Sequence, residues 1–174
     1  KRQAQKRRAI LSAAFPGTRL VIPAGSAKQR SNDTYFRFRP HSAFVYYTGV
    51  QGVEATPNAV LILEPNAGGH EAILFVNPRS TRDSDAFFSD TKNGELWIGR
   101  RFTTAESQQR WQVPTRSISE LESHLAKAIP TLSIRSIDES VDKHCSAHEH
   151  DAEFLSVMSA QRLIKDEYEI AELQ

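Results

Sequence analysis

Apolar positions in this chain come in short blocks separated by long polar stretches. Residues 3–14 read as a helix whose buried side begins at Ile10 and Leu11, and the following Phe-Pro-Gly closes it. RLVIPA (19–24) is an unbroken apolar run and reads as a buried strand. Residues 25–40 are polar and largely without periodicity, so they predict a long loop with an extended segment at Tyr35–Arg39. Ser42 is placed to cap a short helix through AFVYYTG, ended by Gly49. AVLILEP (59–65) and EAILFVNP (71–78) are rich in β-branched and aliphatic residues, and the NAGGH between them is a turn. They predict adjacent antiparallel strands in a covered sheet.

The second half is read the same way. Residues 79–94 are polar, and ELWIGRR (95–101) stands as a strand. Residues 103–111 predict a short helix. SISELESHLAKAIP (117–130) predicts an amphipathic helix capped by Ser119, with Leu121, Leu125 and Ile129 inward. LSIRSI (132–137) alternates like a strand. Residues 151–161 predict a helix with Phe154, Leu155 and Met158 inward. In the closing RLIKDEYEIAELQ, Asp166 and Glu169 have capping-box spacing, and Ile170 and Leu173 begin an apolar stripe. The order αβ–αββ–βαα–βα implies an α/β layer fold, a mixed β-sheet flanked by helices.

Composition narrows this picture only a little. A chain of 174 residues fits one domain with a short extra piece. Its net charge of +1 gives no overall field for nucleic acid or an anionic membrane. The basic run KRQAQKRR (1–8) reads as the solvated first turns of the opening helix. The single cysteine, Cys145, excludes an intramolecular disulfide. No apolar run approaches the roughly 18 residues of a membrane span. No apolar segment of a secretory signal is visible, so a cytoplasmic location is the expectation.

Candidate chemistry is sparse. HCSAHEHD (144–151) would place His144 and His148 on one helical face, four residues apart, as zinc ligands often are. The glutamate that zincins carry beside the first histidine is absent, so a solvated capping segment is the competing reading. Cys145 has histidine neighbours, but adjacent residues on a helix do not face one another. His70 in a turn and His124 on the polar side of a helix read as surface residues. No nucleophile elbow and no glycine-rich phosphate loop is present.

One stretch carries more information. RSNDTYFRFRPHSAFVYYTGVQ (30–51) closely resembles the opening segment of Xaa-Pro aminopeptidases (aminopeptidase P). The similarity continues in register through PNAVLILEP, AILFVNPR and ELWIGRR, and RLIKDEYEIAELQ resembles the family's hinge. The resemblance implies a creatinase/aminopeptidase P N-terminal domain of ribonuclease H-like type over 1–161. Residues 162–174 would then be the hinge and first helix of a C-terminal "pita-bread" metallopeptidase domain. That second domain would hold two divalent metal ions, often manganese, and release the N-terminal residue preceding proline from proline-containing peptides. None of its ligands maps to this chain, which would be inactive alone.

The resemblance also implies roles for this part. It would gate the active site and support a homo-oligomer, a dimer or tetramer. Trp97 and Asp33 match residues placed near a neighbouring subunit's substrate. The competing readings are packing for Trp97, and a turn cap or arginine partner for Asp33. Arg30, Arg39, Tyr46 and Gly49 match the structural motif, Arg39 as an anchor between elements and Tyr46 as a packed aromatic. Pro40, His41 and Ala43 depart from the family pattern, and the stretch before Trp97 is longer. Two alternatives stand beside this reading: the N-terminal domain of a prolidase, and a stand-alone interaction or metal-binding module using the 144–150 histidines. Residues 162–174 are expected to be helical from Asp166 and loosely attached.

Overall fold

The structure, a computed structural model, describes residues 1–173. In chain order the first half holds α1 (Arg2–Ala14), β1 (Arg19–Pro23), β2 (Gln29–Ser31), β3 (Thr34–Tyr35), α2 (Ser42–Thr48), β4 (Val60–Asn66) and β5 (Gly69–Val76). Then come α3 (Ala86–Ser89), α4 (Glu95–Ile98), α5 (Thr104–Trp111), β6 (Thr115–Ser117) and α6 (Leu121–Leu125). The chain goes on with β7 (Thr131–Ser133), α7 (Glu139–His144), α8 (Asp151–Leu163) and α9 (Glu167–Leu173).

Five strands form a mixed sheet in the order β6-β5-β4-β1-β7. The β6–β5 and β1–β7 pairs are parallel, and the two central pairings are antiparallel. Because side chains alternate across a strand, each central strand feeds two cores. Leu20, Ile22, Leu61, Leu63, Leu74 and Val76 face the layer of α1, α2 and α8, where Leu11, Phe44, Tyr47, Phe154 and Met158 are buried. Val21, Val60, Ile62, Ile73 and Phe75 face Leu121 and Leu125 of α6 and Val141 of α7. That is why the strands read as continuous apolar runs: both faces are covered. The predicted mixed sheet flanked by helices is the observed fold.

Several local expectations are corrected. ELWIGRR contributes α4, not a strand, and the sheet edge is taken instead by β6. Gly94 lets this turn form, since a Cβ there would come within 2.6–2.7 Å of the carbonyls of Ala86, Asp90 and Phe87. The helix predicted over 117–130 is a 3-10 turn followed by α6, and Ser117, not Ser119, closes its capping box with Glu120. It stops at Leu125, where Arg19 Nη1 donates to the carbonyls of Leu125 and Lys127. His41 caps α2 in place of Ser42: its Nδ1 accepts from the Ala43 amide at 3.3 Å. Extended structure in the long loop is the β2–β3 hairpin, which lies earlier than predicted. Ile10 is exposed and Leu155 is 42% exposed, so the inward sides of α1 and α8 are narrower than expected.

The final segment is tied to α1 at the first turn of α9, while Leu163, Ile164, Tyr168, Ile170 and Leu173 are exposed. Asp166 and Glu169 form the predicted capping box, with bonds of 3.0 and 3.3 Å. Asp166 also accepts from Gln3 and Arg7 of α1. Gln174, which the predicted helix would include, lies outside the described residues.

Candidate functional site

Two segments outside the five-stranded sheet approach each other at Lys92 and Tyr35. One is the β2–β3 hairpin with its continuation to Pro40; the other is the excursion between β5 and α5. Their link is Lys92, whose ammonium sits 5.3 Å from the centre of the Tyr35 ring. The excursion holds its own shape. Arg79 pairs with Glu95 at 2.7 Å, the Asp90 carboxylate caps the amides of Lys92 and Asn93, and Arg101 reaches Asn93. Burial pushes the Asp90 carboxyl up, but these bonds, with the Arg101 charge, hold it below its ordinary value.

Trp97 stands on α4. Its indole N–H donates to the Phe88 carbonyl at 2.8 Å, and the ring is 55% exposed. Its chain neighbours Leu96 and Ile98 are exposed, as are Phe88, whose carbonyl it meets, and Phe36 after the hairpin. Asp33 is exposed in the tight turn between β2 and β3, next to Asn32 at a left-handed φ of 47°. Arg30 is exposed in β2. Arg39 is exposed and makes no hydrogen bond or ion pair among the described residues. Below this surface, a cleft of about 230 Å3 runs between buried Phe44, Val50, Leu74 and Val76 and the outer Arg100 and Trp111.

The motif residues of α2 are internal. Tyr46 is buried, meets Tyr47 edge-on and donates to the Gln161 carbonyl at 3.1 Å. Burial pushes the phenols of Tyr46 and Tyr47 above their ordinary value. Gly49 ends α2 with φ 76°, a conformation that glycine adopts without strain, and its amide donates to the Val45 carbonyl at 2.7 Å.

The histidines separate. α7 ends at His144, so His144 and His148 do not share a helical face. His148 sits in the turn before α8: its amide donates to Asp151, and its Nδ1 accepts from the His150 amide. Among the described residues no three His, Cys, Asp or Glu side chains converge to hold a metal ion. Burial pushes the Cys145 thiol up, which suits an inert packed side chain.

His124 is not on the surface. It is 5% exposed, packs 5.2 Å from the Phe75 ring and bonds Glu64 at 3.0 Å. Glu64 also takes two 2.8 Å bonds from the fully buried Arg19. His70 lies in β5, where its ring bridges Ser12 and the Thr18 carbonyl. The signal for this network was an arginine opening one apolar strand and a glutamate near the end of another.

Comparisons with known proteins bear on the family and the fold. The family model "Aminopeptidase P, N-terminal domain" matches residues 4–135. Xaa-Pro aminopeptidase 1 of Streptomyces coelicolor is 42% identical over 97% of this chain and 34% of its own length. Xaa-Pro aminopeptidase of Haemophilus influenzae is 30% identical over 74% of this chain and 26% of its own. The chain thus spans about a third or less of the curated relatives it matches. Proline aminopeptidase P II from Yersinia pestis superposes with a TM-score of 0.65 at 24% identity, over 82% of this chain and 31% of that one.

Proposed function

This chain belongs to the aminopeptidase P N-terminal domain family, and on that premise we propose that it is the non-catalytic N-terminal domain of a longer, metal-dependent Xaa-Pro aminopeptidase. The observation that carries the reading is the 42% identity over 97% of this chain, against 34% of a relative named as that enzyme. Among the described residues no three His, Cys, Asp or Glu side chains converge to hold a metal ion, and the reading assigns the two divalent ions of such an enzyme to its second domain. We assign no catalytic step to its residues. Proline-containing peptides are the substrates of the whole protein, manganese the metal of its second domain, and residues 162–174 the hinge that leads there.

The domain's part is to gate the active site and support a cytoplasmic homo-oligomer. The exposed Trp97 indole and the Asp33 carboxylate are its substrate-proximal groups across subunits. A flat aromatic face suits a proline ring or an apolar side chain. A carboxylate in an exposed turn suits a peptide's free amine.

The longer protein tests this directly. It should hydrolyse an Xaa-Pro-Yaa tripeptide faster than an Xaa-Pro dipeptide; the reverse preference makes it a prolidase. Trp97→Ala should raise KM several-fold with an unchanged melting temperature, because the ring is 55% exposed. Unchanged kinetics remove the gating role.

A further inference from the structure

Helix α9 buries no described apolar side chain in the body of the protein. Its Tyr168, Ile170 and Leu173 are exposed, as are Leu163 and Ile164 just before it. None of its described residues is buried, and Glu169 alone is half-buried. What holds it is a charged grip on its first turn. Arg7 Nε and Nη2 donate to one Asp166 oxygen at 2.8 and 2.6 Å, and Nη2 lies 3.1 Å from Glu169. Gln3 donates to the same Asp166 oxygen at 2.8 Å.

The grip itself is fixed in place. Arg7 is 8% exposed, with its guanidinium 3.9 Å from the centre of the Tyr46 ring and its Nη1 donating to the Tyr46 carbonyl. Gln161 ties the end of α8 to the same spot. It donates to the Arg7 carbonyl and accepts from the Tyr47 hydroxyl, while the Tyr46 hydroxyl takes its carbonyl. An arginine in a run read as solvated charge is therefore half wall, half clamp.

We propose that Arg7 is a positioning residue, a latch whose paired hydrogen bonds to Asp166 set the direction in which α9 leaves the domain. The consequence for function rests on the reading that a catalytic domain follows. A helix rises about 1.5 Å per residue, so a tilt of ~20° at the latch moves the end of a 20 Å extension by roughly 7 Å. Catalytic geometry is sensitive to displacements of about 1 Å.

Two substitutions separate the latch from the cap. Asp166→Asn keeps a good N-cap and loses the charge. Arg7→Met keeps a long apolar side chain beside Tyr46 and loses the donors and the charge over its ring. In the 174-residue chain, with Cys145→Ala, spin labels at Tyr168→Cys and Glu122→Cys report the direction of α9. A single narrow distance distribution is expected, at least twofold broader in each variant, with the melting temperature held within a few degrees. Unchanged width in both variants overturns the latch. Broadening in Arg7→Met alone overturns it too, because the effect then comes through Tyr46. In the longer protein the same two variants should lower kcat/KM on an Xaa-Pro-Yaa peptide. If the parent protein fails to hydrolyse that peptide, the aminopeptidase reading falls, while the distances still decide the latch.

Discussion

Replacing Glu64 with leucine should be among the most damaging single changes available to this domain. Arg19 is fully buried, and Glu64 is its only ionic partner among the described residues. The change leaves a guanidinium in the core with only the carbonyls of Leu125 and Lys127, at 3.4 and 3.2 Å. Breaking a buried pair by removing one member costs about 3–5 kcal/mol. The two remaining carbonyl bonds place Glu64→Leu near the lower end. For a domain of this size about 3 kcal/mol is roughly 6–12 °C in melting temperature. The double variant Arg19→Met/Glu64→Leu should recover most of the loss, because apolar replacements of similar volume are often neutral or stabilising. The His124 ring nitrogen stays unpaired in it, at about 1 kcal/mol. Urea denaturation followed by far-UV circular dichroism gives all three values. A Glu64→Leu cost under about 1 kcal/mol, or a double variant as unstable as the sum of the two singles, refutes the argument.

The same pair has an acid signature. Burial pushes the Glu64 carboxyl up, but the hydrogen bonds from Arg19 and His124 outweigh it and hold it below its ordinary value. On acidification the unfolded chain therefore takes up that proton first. The pair's contribution is complete above the unfolded pKa of about 4.3 and is lost as pH falls through the lower folded value. The double variant should lack that part of the acid dependence.

Two other changes probe the other face of the sheet and the cap of α2. Phe154 is fully buried and meets Phe15 edge-on at 5.5 Å, so Phe154→Ala should cost about 3–5 kcal/mol in urea denaturation; a cost below about 1 contradicts the placement of α8. His41 is held below its ordinary value by burial and by the Arg162 charge, and its Nδ1 must stay unprotonated to cap Ala43. Its contribution is therefore complete above the unfolded pKa of about 6.5 and declines as pH falls below it. His41→Asn, which can still cap, should flatten the stability profile between about pH 7 and 5.5, and an unflattened profile excludes the cap as the cause.

The elements legible in the sequence were those specified by neighbours along the chain. The β4–β5 hairpin follows from two apolar runs around NAGGH, the end of α2 from Gly49, and the cap of α9 from Asp166 and Glu169. The illegible parts depend on partners far apart in sequence. His124 has the spacing of a surface residue, and only Glu64, brought over by β4, makes its burial tolerable. Arg7 sits in a basic run, and its carboxylate lies 159 residues on. β6 has three residues and no apolar pattern; it is set by pairing with β5 and by contact with α5, where the Thr115 amide donates to Gln108. Trp97 and Asp33 could be singled out only through the family resemblance, since an exposed tryptophan and a turn aspartate carry no periodic signal.

The placement of apolar and charged groups separates scaffold from display. Exposed apolar side chains are ordinary one at a time, while buried charge always needs a reason. Here the buried arginines Arg7 and Arg19 each have one: the first bonds the cap of α9 and the second holds β1 against β4 and the end of α6. Exposed Phe36, Phe88, Leu96 and Trp97 have no such reason within the fold. They also lie on segments that the sheet could omit, yet the excursion spends an ion pair, an aspartate-capped turn and an indole hydrogen bond on keeping one shape. A segment needed only to connect β5 with α5 would have no use for that order. Fixing aromatic side chains before a ligand arrives removes ordering entropy from the binding step. On the proposed reading, a preorganised apolar surface of this kind is what a gate over a peptide site would use, which makes the excursion and hairpin, away from the sheet that carries them, the place to test that role.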